Sequence, residues 1–156
     1  MAMILGLSHI TLIVSDMERT AALLKLVFDA QEVYESGDKT FSLAREKFFL
    51  IGGLWICLME GEPLPDRTYN HIAFQVEERD LEVYTVKLKE VGAQMKADRP
   101  RVEGEGSSVY FYDFDNHLFE LHTTYHAGQA GQVRTGQIRC FQAATGISGA
   151  GLCLYD

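Results

Sequence analysis

The segment Ser8-His9-Ile10-Thr11-Leu12 returns in the second half of the chain as Asn70-His71-Ile72-Ala73-Phe74, and each copy opens the same succession of elements. A repeat of this length means that one supersecondary unit has been used twice, and neither unit can bury its own hydrophobic face alone. In the first half, His9 to Ser15 alternates and is rich in Ile, Thr and Val, so it reads as a strand. Asp16 is placed to cap a helix running to about Phe28, with Met17, Leu23, Leu24 and Val27 near helical spacing. Short strands are expected at Gln31 to Glu35, Thr40 to Ala44, Lys47 to Ile51 and Leu54 to Glu60, divided by turns at Ser36-Gly37-Asp38 and Gly52-Gly53.

The second half reads the same way. Asn70 to Val76 is a strand, and Asp80 to Val91 a helix with Leu81, Tyr84, Leu88 and Val91 on one face. Strands follow at Ala93 to Lys96, Val109 to Phe114 and Leu118 to Thr123, the last after a turn at Asp115-Asn116. The expected fold is α+β: two paired βαβββ modules, 4–62 and 69–124, forming a curved sheet, joined by the linker from Gly61 to Thr68. A Gly/Ala/Gln-rich tail, 125–156, comes after them.

Period two then sorts the side chains. His9 and Thr11 share one strand face, His71 and Ala73 another, and Leu118, Glu120 and His122 a third. If the sheets curve about a common axis, His9, His71 and Glu120 converge. Two imidazoles and a carboxylate make an incomplete shell for a first-row divalent ion, leaving positions for water or substrate oxygens. A single histidine in a β-rich core is ordinarily a hydrogen-bonded structural residue. The same register in both copies, with a carboxylate in an otherwise apolar strand, reverses those odds. His122 is a competing ligand two residues beyond Glu120. His117, at a turn, and His126 are weaker ones.

Composition narrows the partners. A net charge of −8 disfavours nucleic acid and anionic membranes. No stretch approaches the roughly 20 apolar residues of a membrane span. Three distant cysteines, Cys57, Cys140 and Cys153, argue for a reducing cytoplasm, and Met1 to Ser8 lacks the basic start of a signal peptide.

The paired modules with His, His and Glu resemble the vicinal oxygen chelate superfamily, to which glyoxalases and bleomycin resistance proteins belong. Longer motifs narrow the likeness: Gly6-Leu7-Ser8-His9-Ile10-Thr11, Phe41-Ser42-Leu43, Arg45-Glu46-Lys47-Phe48-Phe49-Leu50-Ile51, Tyr69-Asn70-His71-Ile72-Ala73-Phe74, Arg99-Pro100-Arg101-Val102-Glu103-Gly104-Glu105-Gly106 and Tyr110-Phe111-Tyr112-Asp113-Phe114-Asp115-Asn116-His117. Over about residues 4 to 122 they are similar to the manganese-dependent epoxide hydrolase branch of the fosfomycin resistance enzymes.

That resemblance implies a domain-swapped homodimer holding Mn2+ (other first-row divalent metals being possible) and adding water to the oxirane of fosfomycin, a small phosphonate epoxide. Under it His9 comes from one subunit, His71 and Glu120 from the other. Glu46 is then the general base on water, and Thr11, Trp55, Ser108 and Tyr110 bind substrate. Arg99 and Arg101 are candidates for the cation on the phosphonate, and the Gly104-Glu105-Gly106 loop for a flexible cover. Without the resemblance, Glu46 between Arg45 and Lys47 reads as a solvated charge cluster, Thr11 as a strand filler and Trp55 as core.

The likeness ends after His122. Relatives continue into a helical tail with an arginine for the phosphonate, whereas Thr123 to Asp156 shows no helical period and Arg134 and Arg139 lie too far along to match it. Ser107 also stands where many relatives carry Arg. The expectation is manganese binding with poor hydrolysis of fosfomycin. Two rival functions stay open: a glutathione or bacillithiol transferase on the same epoxide, which needs no base on water, and a metal-free drug-binding module lacking the ligand triad.

Overall fold

The computed structural model describes residues 3–39, 42–101 and 105–123. The first half contains β1 (His9–Val14), α1 (Met17–Phe28), β2 (Gln31–Glu35), β3 (Glu46–Ile51) and β4 (Leu54–Glu60). The second contains β5 (His71–Val76), a 3-10 turn (Glu78–Asp80) leading into α2 (Leu81–Glu90), β6 (Gln94–Lys96), β7 (Ser108–Tyr112) and β8 (Leu118–Thr123). Each half forms one four-stranded sheet, in the orders β1-β4-β3-β2 and β5-β8-β7-β6. In each, the first and last strands of the unit pair in parallel and the others antiparallel, so the two units match strand for strand.

Local chemistry sets the helix ends. The Asp16 carboxylate accepts the Arg19 amide at 2.9 Å, as an N-cap should. At the other end Asp29 takes φ 51° and its amide bonds the Leu24 carbonyl, a left-handed stop that a short polar side chain tolerates. Met17, Leu23, Leu24 and Val27 are all buried on the inner face of α1. Of the apolar face expected for α2, only Leu88 is fully buried, with Leu81, Tyr84 and Val91 partly covered against the same core.

One apolar cluster runs through both halves. Phe28, at the end of α1, meets Phe74 at 4.8 Å, Phe119 at 5.9 Å and Phe111 at 6.1 Å between ring centroids. A polar seam reinforces it. The Ser15 amide and hydroxyl donate to one oxygen of the fully buried Asp115, at 2.9 and 2.6 Å. Asn116 donates to the Leu64 carbonyl at 2.7 Å, and the Leu64 amide donates to the Asp115 carbonyl at 3.1 Å. The β7–β8 turn is thus tied to the end of β1 and to the linker.

One expected strand is absent. Residues 42–44, the described part of the predicted strand at Thr40 to Ala44, form bends. β2 pairs directly with β3 and is the outer strand of its sheet, and Leu43 is 91% exposed. Alternation without a surface to bury against does not make a strand. The tail 125–156 lies outside the described residues.

Candidate metal centre

Register and burial assign the faces of both sheets. The core and helices take Ile10, Leu12, Val14, Lys47, Phe49, Ile51, Ile56 and Leu58 of the first, leaving the other face open. On that open face the cross-strand rows are His9–Trp55–Leu50, Thr11–Cys57–Phe48 and Ile13–Met59–Glu46. The second sheet repeats the pattern with rows His71–Leu118–Tyr112–Gln94, Ala73–Glu120–Tyr110–Lys96 and Gln75–His122–Ser108. Every expected strand-borne site residue therefore stands on an open face, but they divide into two groups.

The first group is His9, Thr11, Glu46 and Trp55. His9 is exposed, with Phe48 edge-on at 6.0 Å and the Ser8 hydroxyl 3.2 Å from its Nδ1. A hollow of about 210 Å3 lies there, lined by Ser8, His9, Phe48 and Trp55. Glu46 begins β3, its amide held by the Ser36 hydroxyl at 3.0 Å. The pleat sends the next residue to the other face: the Lys47 ammonium is buried against Glu18 at 2.7 Å and Glu35 at 3.4 Å. Lys47 therefore does not neutralise Glu46, which shares its face with His9 and Thr11. Cys57 lies in the row between Thr11 and Phe48, and burial first, then the charge of Glu46, pushes its thiol up. It is a free, buried cysteine.

The second group is His71, Glu120, Ser108 and Tyr110. His71 Nε2 lies 3.0 Å from Glu120 Oε2. Its Nδ1 lies 2.8 Å from the Tyr69 carbonyl, which can only accept, so Nδ1 carries a proton and Nε2 is the nitrogen turned toward the carboxylate. A ring nitrogen and a carboxylate oxygen at that distance can share a proton or turn two lone pairs toward one cation. The separation suits neighbouring donors each about 2.1 Å from one ion, so these residues fit a divalent metal. The carbonyl on Nδ1 is the partner that ordinarily fixes the tautomer of a ligating histidine.

Glu120 is buried and its other oxygen is held in place. The Ser108 hydroxyl meets Oε1 at 2.5 Å and His122 Nδ1 at 2.8 Å. A hydroxyl has one proton and a carboxylate only accepts, so Ser108 donates to Glu120 and receives from His122. Burial would raise the Glu120 carboxyl, but hydrogen bonds from Ser108 and Tyr110 and the charges of His122 and His71 together hold it below the usual range. Burial pushes the Tyr110 phenol up, helped by Tyr69 and Glu120, so it stays a donor.

Arg99 and Arg101 line the loop before β7. Arg99 is paired with Glu105 and donates to the Pro100 carbonyl at 3.1 Å. Arg101 holds Asp98 at 2.8 and 3.1 Å and the Gly106 carbonyl at 2.6 Å. Gly106 presses on β8 so closely that a Cβ would meet the Thr123 carbonyl oxygen at 2.2 Å, which only glycine permits. The end of the expected cover loop, Glu105 and Gly106, is therefore tied down, while 102–104 lie outside the described residues. The sequence reading missed Lys96 and Tyr69 on this face. It placed His122 as a possible ligand, not as a partner of Ser108.

His9 is not with His71 and Glu120: among the described residues no three His, Cys, Asp or Glu side chains gather to hold one ion. Nor is any described helix long and apolar enough to cross a membrane.

The sequence pattern of the Glyoxalase/Bleomycin resistance protein/Dioxygenase superfamily matches residues 6–121. The chain is 61% identical over 120 residues to fosfomycin resistance protein FosX of Listeria monocytogenes, covering 77% of this chain and 90% of that one. A solved Listeria monocytogenes FosX variant, complexed with Mn(II) and 1S,2S-dihydroxypropylphosphonic acid, superposes with a TM-score of 0.71 at 60% identity, covering 77% of this chain and 90% of that one. Metallothiol transferase FosB of Shouchella clausii is more distant, 39% identical over 127 residues, with coverages of 78% and 82%. The chain belongs to the glyoxalase/bleomycin resistance/dioxygenase superfamily and, within it, to the family of the fosfomycin resistance proteins it matches.

Proposed function

We propose that this chain is a manganese-dependent epoxide hydrolase that inactivates fosfomycin, with His9, His71 and Glu120 as metal ligands and Glu46 as the base on water. The observation that carries the reading is the 3.0 Å pair of His71 Nε2 and Glu120 Oε2, each held from behind, on an otherwise open face. The ligand of the FosX complex points to water as the nucleophile, since 1S,2S-dihydroxypropylphosphonic acid is the diol that adding water to such an oxirane yields.

A divalent ion, when bound, supplies Lewis acidity to the oxirane oxygen and a counter-charge to the phosphonate. The rest falls to the chain. Glu46 accepts one proton of a water whose oxygen bonds to a ring carbon; the ring C–O bond breaks, and its oxygen takes up a proton as the second hydroxyl of the diol. Thr11 and Trp55 bound the substrate on the first sheet, Ser108 and Tyr110 on the second, and Arg99 and Arg101 form the rim.

The division of these residues supports a homodimer whose site is shared. β1 and β5 are edge strands, and each begins with the histidine concerned. Apolar residues beside both edges are uncovered: Ile4 and Leu5 are 91% and 93% exposed, and Trp55 and Tyr69 about half. Bare edges and apolar surface of this kind call for a partner chain. A second copy that brings its β1 edge to β5 joins the open faces into one curved surface, with His9 from one subunit and His71 and Glu120 from the other.

The test is metal-dependent ring opening, with the product mass measured, for wild type and Glu46→Gln. The expected result is the diol from wild type, with and without added thiol. Glu46→Gln should be about 100- to 10,000-fold slower with manganese binding retained. A thiol adduct as the sole product, or full activity in Glu46→Gln, overturns the assignment.

A further inference from the structure

In an antiparallel ladder a hydrogen-bonded pair of residues exchanges both of its amide–carbonyl bonds. The last pair between β2 and β3 does not. The register sets Glu35 opposite Lys47, which brings Ser36 opposite Glu46. The Ser36 amide donates to the Glu46 carbonyl at 3.0 Å, as the ladder requires. The return bond would run from the Glu46 amide to the Ser36 carbonyl, but that carbonyl accepts the Lys39 amide at 3.2 Å. The buried Ser36 hydroxyl takes its place and accepts the Glu46 amide at 3.0 Å. Gly37 then turns the chain off the sheet at φ 60°, a conformation that suits glycine. The serine thus lets β2 leave the sheet while the backbone of Glu46 stays in it, its amide and carbonyl both held by one residue.

Glu46 is the proposed base, and it stands on the open face as the first residue of β3, where a strand frays most readily. A base must reach its water within a hydrogen bond, and a displacement of about 1 Å can cost about 100-fold. Without the hydroxyl the Glu46 amide either opens to solvent or closes on the Ser36 carbonyl and breaks the Lys39 turn. Both shift the carboxylate relative to His9 and Thr11 on the same face. We propose that Ser36 is a positioning residue for Glu46, its hydroxyl fixing the backbone from which the base projects. This inference rests on the reading of Glu46 as the base on water.

The experiment uses the manganese-loaded full chain as wild type, Ser36→Ala, Ser36→Val and Ser36→Thr, each alone and with Glu46→Gln. Valine and threonine share a shape and differ in the hydroxyl, and two variants without it guard against one failing to fold. Steady-state kcat and KM for fosfomycin ring opening are read with Mn(II) affinity and with hydrogen exchange of the peptide carrying the Glu46 amide. In Ser36→Ala and Ser36→Val, kcat should fall about 10- to 100-fold with KM and Mn(II) affinity unchanged, and exchange should quicken. Ser36→Thr should recover most of kcat and of the protection. With Glu46→Gln the same changes should cost little further, because their effect passes through the carboxylate. A serine that only supported the fold would slow both backgrounds alike. Wild-type kcat in either folded variant without the hydroxyl, or equal losses in both backgrounds, overturns the role of Ser36 and leaves the base standing. Full activity in Glu46→Gln, or a wild type that opens no ring, overturns the base and Ser36 with it.

Discussion

Mixing two inactive variants should restore activity. In His9→Ala both metal sites of a dimer lack the same ligand, and in Glu120→Ala both lack another, so neither homodimer should hold manganese well. The sheets divide the proposed ligands between them. His9 projects from the first sheet, His71 and Glu120 from the second, and no three such ligands meet within the described chain. In a heterodimer of the two variants, one site combines both lesions. The other takes His9 from the Glu120→Ala chain and His71 with Glu120 from the His9→Ala chain, and is intact. Random pairing of equal amounts in a two-fold dimer makes half the dimers mixed, each with one good site of two, so about one quarter of wild-type activity should return. Co-expression with two tags gives the defined heterodimer, where about one half should return and Mn(II) should bind at one ion per dimer. Activity and bound manganese that stay at the level of the parent variants would show that the ligands come from one chain, and the shared site would be wrong.

Ser108→Ala should weaken Mn(II) binding about 10- to 100-fold, because the hydroxyl that orients Glu120 is a supporting contact of a proposed ligand. His122→Ala should act in the same direction, through Ser108 and through its own charge beside Glu120, so the double variant should lose less than the sum of the two; fully additive losses would break the chain of contacts. Lys47 is raised above its ordinary 10.5, first by the Glu18 hydrogen bond. A raised lysine stabilises the fold fully below its unfolded value and loses that contribution as pH rises through the folded one. Urea midpoints should therefore fall more steeply above about pH 10.4 for wild type than for Lys47→Met, and parallel curves would refute this.

Much of the architecture was legible because two periods dominate. The alternation in His9 to Val14 and His71 to Val76 gives both the strands and the faces of their histidines, and Glu120 stands out as a carboxylate within Leu118 to Thr123. The helix at Met17 announces itself through Asp16. What was not legible depends on register or backbone. Lys96 lies on a strand of only three residues, too short for its face to be read until β6 is paired with β7. The Tyr69 carbonyl that orients His71 leaves no mark in residue types. Arg45-Glu46-Lys47 reads as a single charged run, yet the pleat buries Lys47 behind the sheet and leaves Glu46 on the open face.

The repeat also explains why the proposed metal shell stops at three ligands. Two residues after each histidine, the register partner on the neighbouring strand is Cys57 in the first half and Glu120 in the second. A carboxylate at both places would give a shared site two histidines and two acids, closing positions that a substrate with two oxygens needs. Cys57 does not fill the role instead. Its thiol is buried and pushed toward the protonated form, and a thiolate is the form that ligates metal or attacks an epoxide. The half without the carboxylate is also the half with Glu46, one row further along the same face. Duplication thus supplies two equivalent histidines, and divergence at a single register position separates the sheet with the proposed carboxylate ligand from the sheet with the proposed base. Under the proposed assignment, a water activated on the first sheet would meet an oxirane held on the second, as ring opening from the side opposite the breaking bond requires.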